Sequence, residues 1–421
     1  MRTSGQKILL LQGPMGPFFR WLAKDLRRQG AVVHKINFNL GDVFFYPVGS
    51  STYRGSKDAW PDYLRYFIRT HQINEILLFG DCRPLHRCAV DVARTMGIKV
   101  QAFEEGYLRP HWITIEEGGV NGNSTLPKTP EFYRKQERLP PAKEVTFSHP
   151  FGRMALYSCL YSLAEACGAR LFPEYQHHRS LTPWKEAFTW LRSAWRRRRH
   201  NVDSKQVKKR CKGPLARNYF LLPLQVKNDA QILFHSPFRN IEALLRTVMV
   251  SFARHAPEDL FLVIKHHPMD RGYSDYSKLI RDLSRSYGVY DRVIYTWDSH
   301  LPTILSNALG VVTANSTVGL QALYHKTPVK VLGKAIYDMP GLTYSDSLDQ
   351  FWKHPVPPDP LLYQKFREYL LAKNQVNGSF SYPPTAALLS RWEPSSSADQ
   401  QLKQAPILQS DAHHLDSTPS R

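Results

Sequence analysis

The sequence predicts an α/β protein with two lobes, each built around a parallel sheet. In residues 7–110, short apolar runs that end in glycine or polar residues alternate with stretches of helical spacing. The same alternation restarts near residue 219, after an aromatic and basic segment. Strands that alternate with helices in this way are typical of right-handed β-α-β units. Two such series in one chain predict two open sheets with a crevice between them.

In the first series the apolar runs predict buried strands and the periodic stretches predict helices. Gly30, Gly80 and Gly97 each follow a predicted element and end it. The predicted strands are residues 7–12, 31–38, 75–80 and 98–103, and the predicted helices are 18–28, 63–71 and 85–96. Residues 111–150 are rich in Gly, Asn, Pro and Thr, which predicts loops.

The second series follows a predicted helix at residues 153–167 and a stretch rich in aromatic and basic residues that reaches residue 213. Its predicted strands are 219–226, 260–264, 293–297, 310–313 and 329–332, and its predicted helices are 241–255, 276–287, 301–307 and 318–325. The predicted domains are a first lobe 1–150, a helical and basic connecting segment 151–213, a second lobe 214–345, and a helical segment 346–392. Residues 393–421 have few large apolar residues, which predicts a disordered tail.

Composition limits the classes of function. A hydrophobic fraction of 42% and a charged fraction of 22% are ordinary for a globular protein. The sequence has neither a signal-peptide core nor a run of about 20 apolar residues, so we expect a cytoplasmic protein without a membrane span. The five cysteines show no CxxC or His/Cys metal spacing, which favours reduced thiols over disulfides or a zinc site.

The formal net charge of +20 favours an anionic partner such as nucleic acid, an acidic membrane surface or a phosphorylated substrate. Part of this charge lies in residues 192–212, where positions 196–199 are four consecutive arginines. The segment is either a solvated linker or a docking site on anionic lipid, where each basic residue contributes ~1 kcal/mol. No helix-turn-helix, RNA-recognition or zinc-finger pattern supports nucleic acid. Three tryptophans belong either to a headgroup interface or to domain packing, namely Trp184, Trp190 and Trp195.

Ligands of open α/β sheets bind beyond the carboxyl ends of the strands, which directs attention to the residues there. Gln12 and Gly13 end the first predicted strand, where glycine lets the backbone approach a ligand and the next helix favours an anion. The GxGxxG spacing is absent, so a plain strand-helix turn explains this segment equally well.

Glu104, Glu105 and Gly106 follow the fourth predicted strand. A carboxylate there can accept a proton from a sugar hydroxyl or stabilise an oxocarbenium-like centre, unless the pair is only a solvated loop.

The second lobe has a basic segment at a strand end. Lys265, His267 and Pro268 come directly after an apolar run. Histidine and lysine suit a phosphate, because they donate hydrogen bonds and offset its charge. The proline fixes the turn that presents the histidine.

Two further segments of this lobe lie at strand ends. Asn315, Ser316 and Thr317 precede a predicted helix, where hydroxyl and backbone N–H groups bind an anion, cap the helix, or do both. Gln225 and Asp229 end the first strand of the lobe. Asp229 is therefore either a carboxylate near the predicted crevice or only a turn residue.

The order of these segments resembles the motif set of bacterial sialyltransferases and related CMP-sugar enzymes. It is more similar to the capsule polysaccharide synthesis and export family, in particular to β-Kdo glycosyltransferases of the KpsS/LipB type. The resemblance covers residues 7–335, without the basic segment 180–212. It is carried by residues 11–14 (LQGP), 103–110 (FEEGYLRP), 223–226 (PLQV) with Asp229, 265–268 (KHHP) and 315–319 (NSTVG).

The resemblance implies the GT-B fold, with two Rossmann-like lobes, the acceptor side on the first, the CMP-sugar side on the second, and the active site between them. It implies retaining transfer of Kdo from CMP-Kdo to a phosphatidylglycerol-type lipid, or to Kdo already on it, at the start of the capsular polysaccharide linker. It also implies peripheral association with an anionic inner-membrane surface and contact with other capsule synthesis and export proteins. No metal or other cofactor is expected, since no Asp-x-Asp pattern is conspicuous, and no nucleic acid is expected.

By the same resemblance, Asp229 is the nucleophile and His267 stabilises the departing CMP phosphate. Glu104 or Glu105 is the general base, and the family pattern favours Glu104. This sequence has Glu-Glu-Gly where relatives often have Glu-Asp-Gly, so the choice stays open. The implied binding residues are Gln12, Gly13, Gly106, Arg109, Gln225, Lys265, Pro268, Asn315, Ser316 and Thr317. A non-catalytic export or scaffold protein, or a glycosyltransferase for another nucleotide sugar, remains the alternative.

Overall fold

The computed structural model describes residues 5–137, 145–148, 150–175, 183–227 and 229–392. Within them the strands are β1 (Lys7–Leu10), β2 (Val32–Asn37), β3 (Ser51–Thr52), β4 (Glu75–Phe79), β5 (Lys99–Glu105), β6 (Trp112–Glu117), β7 (Tyr219–Pro223), β8 (Phe261–Lys265), β9 (Val293–Thr296), β10 (Gly310–Thr313), β11 (Val329–Val331) and β12 (Gln375–Asn377). The predicted disordered tail, residues 393–421, lies outside the described residues.

The helices confirm the alternating pattern. Their bounds are α1 (Phe18–Arg28), α2 (Leu40–Phe45), α3 (Trp60–His71), α4 (Pro84–Thr95), α5 (Pro130–Arg134), α6 (Pro150–Cys167), α7 (Pro183–Arg199), α8 (Asn201–Lys212), α9 (Ala230–His235), α10 (Ile241–His255), α11 (Ser277–Ser286), α12 (Leu301–Ser306), α13 (Val318–Tyr324), α14 (Leu348–Phe351), α15 (Pro360–Lys373) and α16 (Ala386–Leu389). No helix of the described residues is long and apolar enough to cross a membrane.

The first sheet has the strand order β12-β6-β5-β4-β1-β2-β3. Its strands from β5 to β3 pair in parallel, as the sequence predicts. Two further strands, which the sequence did not predict, extend the other edge, where β6 pairs antiparallel with β5 and β12 pairs antiparallel with β6. The loop prediction for residues 111–150 missed β6, where a Trp-Ile-Thr-Ile run of β-forming residues follows the turn after β5. The segment predicted as helical at 346–392 also supplies β12 and thereby returns to the first lobe.

Helices cover both faces of the first sheet. Ile8 and Leu10 of β1 pack in one apolar cluster with α1, while Leu9 and Leu11 pack in a second cluster with α3 and α4. Successive side chains of a strand point to opposite faces, so a sheet covered on both sides needs apolar residues at every position. This is why the first predicted strand is a continuous apolar run.

The second sheet has the order β11-β10-β7-β8-β9 and is parallel throughout, which confirms the prediction for this lobe. Phe220 and Leu222 of β7 pack with α10 on one face, and Tyr219 and Leu221 pack with α12 and α13 on the other. The carboxyl ends of β7, β8 and β10 therefore meet at one edge of the sheet. The segments of this lobe that were predicted to bind a ligand lie at that edge.

The basic connecting segment is helical. α8 buries Val207 and Cys211 against the second lobe. Arg196 of α7 donates from Nη1 to the carbonyl oxygens of Arg271 and Ser274, each at 2.8 Å. The solvated-linker interpretation is therefore wrong for α8 and for Arg196, which holds α7 against the second lobe.

The tryptophans of α7 lie at the surface. Trp190 is 41% exposed and Trp195 is 56% exposed, which does not fit the domain-packing alternative. The side chain of Trp184 lies outside the described residues. The end of α7 therefore presents aromatic and basic side chains to the solvent together.

Candidate functional site

Glu104 and Glu105 are the last two residues of β5, and the prediction that they follow the strand as a loop is wrong. The strand is longer than expected because β6 pairs with it, with Glu104 opposite Thr114 and Glu105 opposite Ile113. Since neighbouring strand residues point to opposite faces, the two carboxylates are separated. Glu104 is half-buried, whereas Glu105 is exposed.

Glu104 lies in a desolvated position beside other charged groups. Burial raises the pKa of Glu104 to about 7, and the negative charges of Glu105 and Asp81 act in the same direction. The backbone N–H of Glu105, which donates to Glu104 Oε1 at 3.0 Å, and the charge of Arg83 oppose this rise in pKa. A carboxyl group whose pKa lies near the working pH is suited to accept a proton from a hydroxyl group.

Arg83 faces Glu104 across Gly80. A β-carbon at position 80 would lie 3.6 Å from Arg83 Nε and 3.8 Å from Glu104 Oε2, so both groups border the same space. Arg83 Nη1 donates to Gln12 Oε1 at 2.8 Å, which fixes the guanidinium. Arg83 was not predicted from the sequence, although residues 80–83 follow β4 and ligands of such sheets bind beyond the strand ends.

Gln12 and Gly13 have structural roles here. The buried amide of Gln12 donates to the Tyr161 hydroxyl at 2.9 Å and to the Tyr175 hydroxyl at 3.0 Å, in addition to holding Arg83. A β-carbon on Gly13 would lie 2.9 Å from the Phe19 ring, so packing explains this glycine. The strand-helix turn that the sequence left as an alternative accounts for both residues.

Arg109 links the acidic strand end to the second lobe. Although the Glu105 side chain is exposed, the protein around its carboxyl group partly desolvates it and raises its pKa, and the charge of Arg109 opposes that rise. The same Arg109, with Lys265, helps burial lower the pKa of His267. Because the charge of Arg109 affects the pKa of both Glu105 and His267, Arg109 lies between the lobes. The fold therefore brings together residues that were predicted from different motifs. Gly106, in contrast, is explained by packing, because a β-carbon there would lie 2.3 Å from the Trp112 carbonyl oxygen.

His267 is a neutral hydrogen-bond donor. Burial lowers its pKa to about 4. Its Nδ1 accepts a hydrogen bond from the backbone N–H of Met269 at 3.2 Å, so the ring proton is on Nε2. At neutral pH His267 is therefore suited to donate a hydrogen bond to a phosphate from its N–H, and its role at a phosphate stays a prediction. Pro268 begins the short 3-10 turn Pro268–Asp270 after β8, as predicted.

The positive charge near His267 comes from its neighbours. Lys265 is buried, and burial lowers its pKa to about 8, so the ammonium form still dominates at pH 7. Its Nζ donates to the carbonyl oxygen of His266 at 3.3 Å. Arg109 is exposed and supplies a second positive charge from the first lobe.

Asp229, Gln225 and Asn315 form one network around α9. Asp229 Oδ1 accepts from the backbone N–H of Gln231 at 2.9 Å, which caps α9, and Oδ2 accepts from Gln225 Nε2 at 3.2 Å. The Gln225 amide also donates to Asn315 Oδ1 at 3.2 Å. Asn315 Nδ2 donates to the carbonyl oxygens of Gln231 and His235. The network fixes the Asp229 carboxylate. It also directs the Asn315 side chain into the interior of its lobe, where its amide makes its hydrogen bonds.

Ser316 and Thr317 precede α13. Ser316 Oγ accepts from the backbone N–H of Val318 at 3.2 Å, which fits the capping alternative. Both side chains are half-buried at the carboxyl end of β10. Their contact with a nucleotide stays a prediction.

The two lobes contact each other through α9 and the 3-10 turn Asn121–Asn123. Cys82 Sγ lies 3.2 Å from His235 Nε2, and the Arg87 guanidinium lies 5.0 Å from the centre of the Phe234 ring. Burial lowers the pKa of His235, while Asp81 from the first lobe and Asp229 from the second oppose that fall. His235 therefore lies between carboxylates of both lobes. This position of His235 was not predicted from the sequence.

Among the described residues, no cluster of three or more His, Cys, Asp and Glu could hold a metal ion.

The fold and this geometry define a two-lobed α/β protein of GT-B architecture, with polar residues of both sheets meeting at the crevice. The sequence profile described as capsule polysaccharide biosynthesis protein matches residues 74–381, and the chain belongs to this family. It is 44% identical over 379 residues to the capsule polysaccharide export protein KpsS of Escherichia coli, covering 90% of this chain and 97% of that protein. It is 40% identical over 387 residues to the capsule polysaccharide modification protein LipB of Neisseria meningitidis, covering 90% and 92%. The predicted resemblance is confirmed.

Solved structures with a similar fold include glycosyltransferases. The β-Kdo 2,7 transferase of KpsC from Thermosulfurimonas dismutans has a TM-score of 0.39 at 14% identity, covering 79% of this chain and 88% of that one. A glycosyltransferase from Rickettsia africae has a TM-score of 0.36 at 10% identity, covering 95% and 99%.

Proposed function

We propose that the protein is a retaining β-Kdo glycosyltransferase that moves Kdo from CMP-Kdo to a hydroxyl group of a phosphatidylglycerol-type lipid. The observation that carries the proposal is that Arg109 acts electrostatically both on Glu105, the neighbour of Glu104 at the end of β5, and on His267 of the second lobe. A proton acceptor on one lobe and a phosphate-binding group on the other suit transfer from a nucleotide sugar to an alcohol. Family membership supports a role in capsule synthesis. The choice of CMP-Kdo rests on the motif resemblance described above.

In the first step, an oxygen of Asp229 attacks the anomeric carbon of the sugar while the bond from that carbon to the CMP phosphate breaks. CMP leaves with the bonding electrons, and a glycosyl-enzyme ester forms. His267 Nε2–H donates to the departing phosphate, and Arg109 and Lys265 offset its charge. Ser316 and Thr317 contact the nucleotide. The hydrogen bonds from Gln231 and Gln225 hold the Asp229 carboxylate in one orientation for the attack.

In the second step, the lipid hydroxyl attacks the same carbon and its proton passes to Glu104. The ester bond to Asp229 breaks and the carboxylate is regenerated, so two inversions give net retention. Glu104 suits this role better than Glu105, because it is half-buried and faces Arg83 across an open space.

The surface of α6 and α7 supports docking on an anionic membrane. Both helices carry exposed apolar side chains, and α7 also ends in four arginines. The exposed apolar residues are Phe151, Leu156, Leu163, Phe188, Leu191 and Trp195. Apolar groups next to basic groups are typical of helices that bind a membrane interface. A lipid acceptor would then be met at the bilayer surface.

A non-catalytic export or scaffold role is the second candidate, and the name of the relative KpsS, an export protein, favours it. It predicts that alanine at Glu104, Asp229 and His267 leaves capsule production intact in a strain that lacks the native gene. Loss of capsule with a stably folded variant would contradict it.

The direct test incubates the purified protein with CMP-Kdo, regenerated in situ, and a short-chain phosphatidylglycerol. We expect the lipid to gain the mass of one Kdo. If another sugar nucleotide gives product and CMP-Kdo gives none, the donor assignment is wrong.

A further inference from the structure

The contact between the lobes is buried, and the reaction described above uses neither of its side chains. Cys82 lies in the turn after β4, and its Sγ is 3.2 Å from Nε2 of His235, the last residue of α9. Cys82 is 8% exposed and His235 is 4% exposed, so solvent is largely excluded from the contact. Each side chain belongs to a segment that also carries or adjoins a site residue.

Hydrogen bonds hold the first-lobe side of the contact in place. Asp81, directly before Cys82, is 4% exposed. Its Oδ2 accepts from the Val120 backbone N–H and from Asn123 Nδ2, each at 3.0 Å. Asp81 therefore ties the turn Asn121–Asn123 to the end of β4.

Gly122 of this turn makes room for the His235 ring. A β-carbon at position 122 would lie 2.4 Å from both Cγ and Nδ1 of His235, which is much closer than van der Waals contact. Any residue other than glycine would displace the ring. The imidazole therefore packs against the backbone of the turn and reaches Cys82 with its Nε2.

In the second lobe, the backbone of His235 is fixed and α9 connects it to Asp229. The His235 carbonyl oxygen accepts from Asn315 Nδ2 at 3.0 Å and from the Lys334 backbone N–H at 2.7 Å. Asp229 caps the other end of α9, which has only six residues. A helix of that length spans about 9 Å, so the contact lies one short helix away from the proposed nucleophile.

Electrostatic effects place the contact between the two carboxylates of the proposed reaction. Burial raises the pKa of the Cys82 thiol, and the charges of Asp81 and Glu104 add to that rise. Burial lowers the pKa of His235, and the charges of Asp81 and Asp229 oppose that fall. Such effects weaken with distance. Cys82 therefore lies near the Glu104 carboxylate, and the carboxylate of Asp229 lies near His235.

We propose that His235 is a positioning residue for sugar transfer. Its contact with Gly122 and Cys82 sets the separation of the Asp229 and Glu104 carboxylates. A sugar held on the second lobe is thereby aligned with an acceptor on the first. The assignment rests on the proposed function, because it concerns that pair of carboxylates. His235 takes no part in the bond-making steps, so its effect falls on turnover and leaves nucleotide binding unchanged.

The first test measures the contact in the full chain without any substrate. N-ethylmaleimide alkylates the protein, and peptide mass spectrometry follows Cys82 and Cys211. Cys211 is fully buried against the second lobe, so its alkylation reports unfolding. His235→Ala should raise the alkylation rate of Cys82 about tenfold or more while Cys211 stays protected, because a buried thiol reacts only when its surroundings open. Unchanged protection of Cys82 would overturn the proposal.

The second test follows transfer to the lipid acceptor. His235→Ala should lower kcat about a hundredfold, the usual cost of misplacing reacting groups by about 1 Å. The Kd for CMP should stay that of the wild type, since His267 and Lys265 are untouched. His235→Gln places an amide near the position of Nε2 and should recover most of the loss. His354→Ala, at an exposed position, is the control. An equal fall in kcat and in CMP affinity, or no recovery with glutamine, would reduce His235 to a structural role.

The opposite side of the contact gives an independent check. Gly122→Ala adds a β-carbon where the His235 ring lies, so it should lower kcat and expose Cys82 as His235→Ala does. In the His235→Ala background it should cost nothing further, because the ring that it would meet is gone. Gly152→Ala, where a β-carbon meets open space, is the matched control. Losses that multiply in the double variant would contradict a shared contact.

The two readouts separate this proposal from the proposed function. Wild-type Kdo transfer together with full kcat in His235→Ala refutes the positioning role alone. If the wild type transfers no sugar from any donor, the proposed function fails and the positioning role fails with it, while Cys82 protection still shows whether His235 joins the lobes. If both variants expose Cys211 along with Cys82, the contact supports folding and the positioning role is refuted.

Discussion

Burial favours the neutral form of a key side chain on each side of the crevice, and it does so by shifting the two pKa values in opposite directions. In the first lobe, burial raises the pKa of Glu104 to about 7. In the second lobe, burial lowers the pKa of His267 to about 4. Desolvation is the largest cause on both sides, because it penalises whichever form is charged. The first lobe therefore presents a group that can gain or lose a proton near neutral pH, and the second presents a neutral donor beside fixed cations.

This contrast supports the proposed division of roles, with proton transfer at the first lobe and phosphate binding at the second. Arg83 and Arg109 border the carboxyl groups, so the crevice has positive charge where a nucleotide and an acceptor would meet.

Asp229→Asn should reduce Kdo transfer by about a thousandfold or more, since a covalent nucleophile is lost. The asparagine still offers an oxygen to the Gln231 N–H, so the cap of α9 and the fold should hold. Intact mass spectrometry should show a Kdo adduct on the wild type with CMP-Kdo alone and no adduct on the variant. Asp259→Asn, at an exposed position of the same lobe, is the control. A fully active Asp229→Asn enzyme would rule out the double displacement.

Glu104→Gln should reduce kcat/KM for transfer by roughly 10²–10⁴-fold, the usual contribution of a general base. Glu105→Gln should cost much less, because that side chain is exposed and points to the other face of β5. Glu117→Gln, exposed at the end of β6, is the control for removing a carboxylate. Equal losses for Glu104→Gln and Glu105→Gln would show that the strand does not separate their roles.

Replacing Arg197, Arg198 and Arg199 together by glutamine should weaken binding to anionic liposomes by about a hundredfold, at about 1 kcal/mol per residue. Arg196 is left in place because it anchors α7 to the second lobe. Turnover on a soluble acceptor should be unchanged. The triple variant Lys24→Gln, Arg69→Gln, Lys278→Gln removes equal charge from exposed positions. Equal liposome binding by the α7 variant and the wild type in sedimentation assays would refute membrane docking by α7.

His267→Asn should raise the Kd for CMP about tenfold, the value of one hydrogen bond to a charged group. An asparagine oxygen can still accept from the Met269 N–H, so the turn after β8 should persist while the Nε2–H donor is lost. Fluorescence or calorimetric titration with CMP gives the Kd. His354→Asn, at an exposed position, serves as the control. Unaltered CMP affinity would place the phosphate elsewhere.

The raised pKa of Glu104 also predicts a difference in stability. The folded-state pKa of about 7 lies above the ordinary 4.5, so the folded protein favours the protonated form. Relative to Glu104→Gln, the wild type should lose stability as pH rises from 4.5 through 7, with a difference of about 2 kcal/mol between pH 5.5 and 8.5. Urea unfolding at the two pH values measures it. A pH-independent difference would mean that Glu104 titrates normally.

Local patterns predicted the elements well. The bounds of α1 and α10 match the predicted helices, because apolar residues recur there at helical spacing and a glycine or a capping asparagine marks one end. The strand-end rule also selected Lys265, the last residue of β8, and Asp229, which caps α9, and the roles of both stay predictions. The antiparallel edge was missed because β12 pairs with a strand more than 250 residues earlier, and no local pattern reports such a pairing.

The surroundings of individual side chains could not be predicted from the sequence. Cys82 and His235 are 153 positions apart, yet they touch, and this contact joins the lobes. The neutral state of His267 follows from burial and from the cations around it, which only the fold reveals. The engagement of Asn315 inside its lobe likewise depends on where α9 packs.

The central claim is that Glu104 accepts the proton of the acceptor hydroxyl. The most direct measurement is the pH dependence of kcat/KM for Kdo transfer, compared between the wild type and Glu104→Gln. A general base must be deprotonated, so the wild-type rate should fall about tenfold per pH unit below an apparent pKa near 7, and the variant should lack this limb. A wild-type profile that stays flat between pH 5 and 7, or an identical limb in Glu104→Gln, would contradict the claim.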